Sequence, residues 1–139
     1  MHPRSADNID NLNRSAEYIK EVFISNGARV TAQDVPITGG PYKNIVANYG
    51  PADGPLIIIG AHYDSVSSYE NDQLTYTPGA DDNASGVAGL LELARLLQQQ
   101  TPGIGVQLVA YASEEPPFFR SDEMGSAVHA ASLERPVKL

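Results

Sequence analysis

Residues that could do chemistry gather in three short stretches of this chain. They are Gly60-Ala61-His62-Tyr63-Asp64, Pro78-Gly79-Ala80-Asp81-Asp82-Asn83 and Ser113-Glu114-Glu115. One imidazole and several carboxylates make a donor set suited to zinc and similar cations. Cysteine is absent, so neither a thiolate site nor a disulfide framework can form. His62 and Asp64 stand two residues apart, and in a strand such residues share a face. A carboxylate there can accept the second ring N–H of a ligating imidazole and fix its tautomer. Like charges brought together need a cation or protons to be tolerable. Adjacent Glu residues cannot both face one way along a strand. Glu114 and Glu115 are therefore expected to divide the work, one on a metal and one toward the water it binds.

These residues need elements to position them. Leu56-Ile57-Ile58-Ile59 is an apolar run without alternation, bounded by Gly54-Pro55 and Gly60. It reads as a strand covered on both faces, with His62 and Asp64 just past its carboxyl end, where open α/β sheets place ligands. Ala84 to Gln100 reads as a helix with Val87, Leu90, Leu91, Ala94 and Leu97 as its apolar stripe. Its amino end lies beside Asp82, where the helix dipole favours negative charge. Val106 to Ser113 is a further apolar strand that runs directly into Glu114-Glu115.

Earlier in the chain, Ile9, Leu12, Ala16, Ile19 and Phe23 recur at helical spacing, predicting a helix over Asp7 to Asn26 with Gly27 as its stop. Ala28 to Val35 and Tyr42 to Tyr49 read as strands joined by a turn and hence antiparallel. Ser65 to Thr77 reads as a polar loop, with Tyr69 or Tyr76 available as a wall of a substrate pocket. Glu123 to Leu133 reads as a short helix in which His129 packs or lies at the surface. The order of elements predicts a three-layer α/β/α sandwich with a mixed β-sheet, in one domain spanning residues 1–139.

Taken together, GAHYDS, PGADDNASGVAGLLELAR and VQLVAYASEE resemble the zinc aminopeptidases of the M28 peptidase family. The similarity runs in order from about Tyr42 to Gly125. It implies that His62 binds one metal, that Asp82 bridges two, and that Glu115 binds the second. It further implies Glu114 as the general base, Asp64 as the supporting partner of His62, and a cis peptide at Asp82–Asn83. The cofactor implied is zinc, two ions in a complete domain, and the substrates are peptides attacked at their amino termini. The segment after Glu115 is longer than the Gly-containing link of the best-known members. Two further ligands of the family, an Asp and a His, are expected beyond Leu139. The chain therefore reads as the amino-terminal part of a catalytic domain, impaired by itself. A single-zinc acyltransferase resembling glutaminyl cyclases and a non-catalytic binding module are the alternatives.

Composition narrows the partners. The 139 residues carry a net charge of −8, which disfavours nucleic acid. No apolar stretch reaches membrane-spanning length. No hydrophobic segment follows Met1-His2-Pro3-Arg4-Ser5, so these residues do not read as a signal peptide, and the compartment is left open. The edge of Leu56–Ile59 would lack its neighbour in an incomplete sheet, which makes pairing with a second copy an expectation.

Overall fold

The computed structural model describes residues 3–37, 39–71 and 73–138. After a turn at Ala6–Asn8 the chain forms α1 (Ile9–Ser25), β1 (Arg29–Val35), β2 (Tyr42–Tyr49) and β3 (Leu56–His62). A hairpin follows, β4 (Ser67–Glu70) and β5 (Gln73–Tyr76), then α2 (Ser85–Leu97), β6 (Gly105–Tyr111) and α3 (Gly125–Ala131). No helix among the described residues is long and apolar enough to cross a membrane.

The main sheet has the order β1-β2-β6-β3 and is mixed. β1 and β6 both run antiparallel to β2, while β3 runs parallel to β6. Alternation along the strands builds two different faces. Ile45, Ala47 and Tyr49 of β2 and Val106, Leu108 and Ala110 of β6 meet Leu12, Ala16, Ile19 and Phe23 of α1 and Val87, Leu90 and Ala94 of α2 in one core. The opposite face carries Thr31, Gln33, Asn48 and Gln107 and receives α3, with His129 4% exposed beneath it. The layers are thus α1 and α2, the sheet, and α3, which is the three-layer α/β/α arrangement expected.

Asn44 explains how α3 is seated. It is fully buried on β2, and its Nδ2 donates to Gly125 O and Gln33 Oε1, both at 2.8 Å. Its Oδ1 accepts from Ala112 N–H at 3.1 Å. One amide side chain therefore ties the end of β6 to the start of α3. Gly125 N–H donates to Ala112 O at 3.0 Å, and a Cβ at Gly125 would overlap both that oxygen and Asn44 Oδ1.

Several sequence expectations need correction. Leu56 is 1% exposed, but Ile57 and Ile58 are half-buried and Ile59 is 38% exposed, so the run is not covered on both faces. The cause is position, because β3 is the edge strand of the sheet. Its free side is paired at Leu56, whose N–H donates to Pro136 O at 3.0 Å and whose carbonyl accepts from Lys138 N–H at 2.9 Å. Residues 65–77 are not a plain loop. Asn71, at φ 50°, lies in the left-handed region where a tight hairpin turn needs it. Tyr76 is 44% exposed, and the side chain of Tyr69 lies outside the described residues. The helix expected over Glu123 to Leu133 is shorter, starting at Gly125.

Replacing Asn44 with Ala leaves Gly125 O and Ala112 N–H buried without that partner. Each such group costs about 1–3 kcal/mol. Urea unfolding of Asn44→Ala is expected to show a loss of roughly 2–6 kcal/mol on the same scale. Gly125→Ala should be destabilised as well, through overlap rather than through an orphaned group.

Candidate metal centre

Parallel pairing puts the carboxyl ends of β3 and β6 at one end of the sheet. The register sets His62 opposite Tyr111. Asp64 and Glu114 follow two and three residues later, so both strands deliver their acids to the same place. Tyr63 keeps the alternation going past the strand. Its side chain is 1% exposed in the core, its hydroxyl donates to Lys43 O at 2.8 Å, and its N–H donates to Tyr111 O at 2.9 Å. With Tyr63 anchored on one side, His62 and Asp64 turn to the other.

Asp82 arrives from a different direction. Residues Ala80–Ala84 form one wide turn, with Ala84 N–H donating to Gly79 O at 3.0 Å. Asp82 (φ −113°, ψ 93°) and Asn83 (φ −136°, ψ 45°) are not helical within it, and the peptide between them is cis. Asn83 Oδ1 accepts from Gly86 N–H at 3.0 Å, which fastens the turn to the first turn of α2. The Asp82 carboxylate, 73% exposed, is thereby held against His62, its Oδ1 2.8 Å from Nε2.

The acid pair is set by Ser113. This residue has φ 56°, in the left-handed region, and its hydroxyl donates to Glu123 O at 3.1 Å. The chain therefore leaves the line of β6 immediately before Glu114 instead of continuing it. Glu114 Oε2 lies 3.6 Å from His62 Nε2. Asp64 Oδ2 accepts from Glu115 N–H at 2.9 Å, linking the two strand ends directly. Asp64 Oδ1 faces His62 Nδ1 at 3.3 Å, out of line for a hydrogen bond, and neither atom has another hydrogen-bond partner among the described residues.

His62, Asp82 and Glu115 each offer a donor atom, and these atoms lie within 4.8 Å of one another. One nitrogen and two carboxylate oxygens at that spacing fit zinc. Asp64 and Glu114 adjoin the set without belonging to it. Asp81 is exposed, and its backbone carbonyl accepts from the Ser85 hydroxyl at 2.8 Å. His129 lies elsewhere, its Nδ1 3.3 Å from the Tyr111 hydroxyl, so it packs and is not at the surface.

The electrostatics express a shortage of positive charge. Every ion pair at this cluster among the described residues is made to His62. Burial pulls its imidazole down, but contact with Asp64, the charges of Asp64 and Glu114, and the hydrogen bond to Asp82 outweigh burial and push it up to about 9. Burial and the charges of Asp82, Asp64 and Glu114 raise the Glu115 carboxyl, against the lowering pull of His62.

Sequence reasoning singled out the five side chains that converge here, and the cis peptide it expected is present. It gave no specific role to Asn44, which is structural, and it missed Ser113. No pattern marks a serine for the left-handed region.

The match to known proteins follows the same residues. Residues 44–135 match the model of peptidase family M28, and the chain belongs to that family. It is 93% identical over 139 residues to the uncharacterized protein YfbL of Escherichia coli (strain K12), covering all of this chain and 43% of that protein. It is 35% identical over 97 residues to a probable zinc metalloprotease of Pyricularia oryzae, covering 66% of this chain and 18% of the relative. Among solved structures, a leucine aminopeptidase precursor from Bacteroides thetaiotaomicron matches with a TM-score of 0.71 and 29% identity, over 89% of this chain and 49% of that one. A glutaminyl cyclase from the same organism, bound to N-acetylhistamine, matches with a TM-score of 0.68 and 29% identity, over 90% of this chain and 47% of that one. The chain thus spans less than half of each of these proteins.

A cation and a proton compete for His62. Its raised pKa stabilises the metal-free fold fully below about 6.5, the free value, and that contribution is lost as pH rises through about 9. Zinc affinity is therefore expected to rise between pH 6.5 and 9, by up to about tenfold per pH unit for one displaced proton. Titration calorimetry in buffers of different ionisation enthalpy should count that proton. His62→Gln should abolish its release.

Proposed function

We propose that this chain carries the core of a zinc-dependent aminopeptidase, with His62, Asp82 and Glu115 as metal ligands and Glu114 as general base. The observation that carries this reading is the division within the acid pair. Glu115 joins the donor set, while Glu114 stands beside it, 3.6 Å from the imidazole. Zinc, two ions in the complete site, would acidify a water and polarise the scissile carbonyl. Asp82 has two carboxylate oxygens and an exposed side chain, as a bridging ligand requires. Asp64 Oδ1, 3.3 Å from His62 Nδ1, stands where it would accept the second ring N–H of a ligating imidazole, and its Oδ2 holds Glu115 through the backbone N–H. Glu114 accepts the water's proton at its carboxylate and returns it to the leaving amine.

In the longest protein that contains these residues, Glu114→Ala should keep its zinc while kcat falls by about 10²–10⁴-fold. Glu115→Ala should lose zinc. Equal loss of zinc in both variants would refute the division of roles. The 139-residue chain alone, with three donors in one cluster, is expected to hold at most one zinc and to leave leucine-p-nitroanilide intact.

A second reading has specific support, because solved glutaminyl cyclases resemble this fold as well as aminopeptidases do. It would use a single zinc to promote attack of a glutamine side chain by its own α-amino group, releasing ammonia. Metal stoichiometry and paired assays separate the two. Two zinc ions with hydrolysis of aminoacyl-p-nitroanilides favour the peptidase. One zinc, with pyroglutamate formed from glutaminyl peptides, favours the cyclase. Zinc-free protein inert in both assays would favour a binding module.

A further inference from the structure

We propose that Arg4 is a positioning residue of the metal centre, a single guanidinium that sets the spacing between the two backbone segments carrying His62 and Asp82. The proposal rests on the metal reading given above. Arg4 is far from both segments in sequence but touches each. Its Nε donates to Tyr63 O at 2.8 Å, between His62 and Asp64. Its Nη1 donates to Pro78 O at 3.2 Å and its Nη2 to Gly79 O at 2.8 Å, on the approach to Asp82. The backbone adds two more ties, Arg4 N–H to Ser65 Oγ and Ser65 N–H to Arg4 O, both at 3.1 Å.

The geometry suits arginine and no other side chain. Its planar fork presents donors in several fixed directions, so one group can span two carbonyl-bearing segments. Lysine offers a compact charge on a flexible stem and cannot hold both at a set separation. The packing around the fork is close. A Cβ at Gly79, which has φ +63°, would stand 2.7 Å from Arg4 Nη2, 2.8 Å from Asp82 O and 2.8 Å from Ser65 Cβ. Arg4, Ser65, Gly79 and the Asp82 backbone thus meet at one point. His62 Nε2 and Asp82 Oδ1, which must face one ion, sit on the two segments joined there.

Arg135 supplies an internal control. It also spends its guanidinium on carbonyls, those of Gly54, Asp53 and Pro55. These precede β3, at the opposite end of a seven-residue strand and roughly 20 Å from its carboxyl end at about 3.3 Å per residue. A purely structural role predicts similar behaviour of the two arginines, whereas a positioning role does not.

The test compares Arg4→Met, Arg4→Lys, Gly79→Ala and Arg135→Met in the longest protein that contains these residues. Zinc affinity is measured against a chromophoric chelator, and site geometry through the visible absorption of bound Co²⁺. Thermal unfolding is followed alongside. Arg4→Met and Gly79→Ala should weaken zinc at least tenfold and alter the Co²⁺ spectrum, with no rescue in Arg4→Lys. Arg135→Met should lower the melting temperature and leave zinc affinity and spectrum unchanged. Unchanged zinc affinity in Arg4→Met overturns the proposal, as does an equal loss in Arg135→Met. Failure of every Arg4 variant to fold would also overturn it, because Arg4 would then hold the fold and not the site. Wild-type protein that binds zinc no better than His62→Ala would instead sink the metal reading itself.

Discussion

The parallel pairing of β3 with β6 is the constraint on which the rest of the site depends. Antiparallel neighbours place their carboxyl ends at opposite edges of a sheet. Parallel neighbours place them together, so His62 and Asp64 on one strand and Glu114 and Glu115 past the other become neighbours. A parallel pair also requires a crossover, and here it contains α2. The turn that leads into α2 within this crossover carries Asp82. A single topological choice therefore supplies an imidazole and four carboxylates from three separated stretches.

That convergence is costly unless something offsets the negative charge. Within the protein the offset is incomplete. A buried imidazole is the cation facing Asp64, Asp82 and Glu114, and it is pushed toward its protonated form by them. Backbone donors help locally, as when Glu115 N–H bonds to Asp64. Glu115 nevertheless keeps a raised pKa, which means its charged form is disfavoured where it stands. Such a constellation is more easily explained by a bound divalent cation than by stability, since uncompensated like charge weakens a fold.

Much of this was legible from residue order alone, and the reasons are physical. Helical periodicity located α1 and α2 because each buries one consistent stripe, and β2 and β6 were legible as short, largely apolar segments bounded by turns. The three acidic motifs were legible because two follow apolar strands and the third stands at the start of an apolar helix, junctions where a merely solvated acid has less reason to sit. The coverage of β3 was misjudged because an unbroken apolar run does not reveal whether its strand is central or at an edge. The β4–β5 hairpin was missed because its polar sequence hides a turn that depends on one left-handed asparagine, Asn71. Ser113 and Arg4 were invisible for a similar reason. Their roles come from a backbone angle and from long-range carbonyl contacts, neither of which leaves a local pattern.

The support around the site shows how the fold separates precision from charge. The groups that fix geometry are largely neutral or bond to neutral partners. Asn44 bonds to backbone at Ala112 and Gly125, Asn83 to Gly86 N–H, and Ser113 to Glu123 O. Arg4 is charged, yet its side chain spends its donors on the carbonyls of Tyr63, Pro78 and Gly79 and forms no ion pair among the described residues. Had it paired with Asp82 or Glu115, it would have neutralised the donors that a cation needs. Directing the guanidinium to carbonyls keeps the carboxylates available while still fixing where their backbones lie. The same separation explains why Asp64 bonds to the Glu115 backbone and not to its side chain. Position is set through the main chain, which leaves the side-chain oxygens free for chemistry.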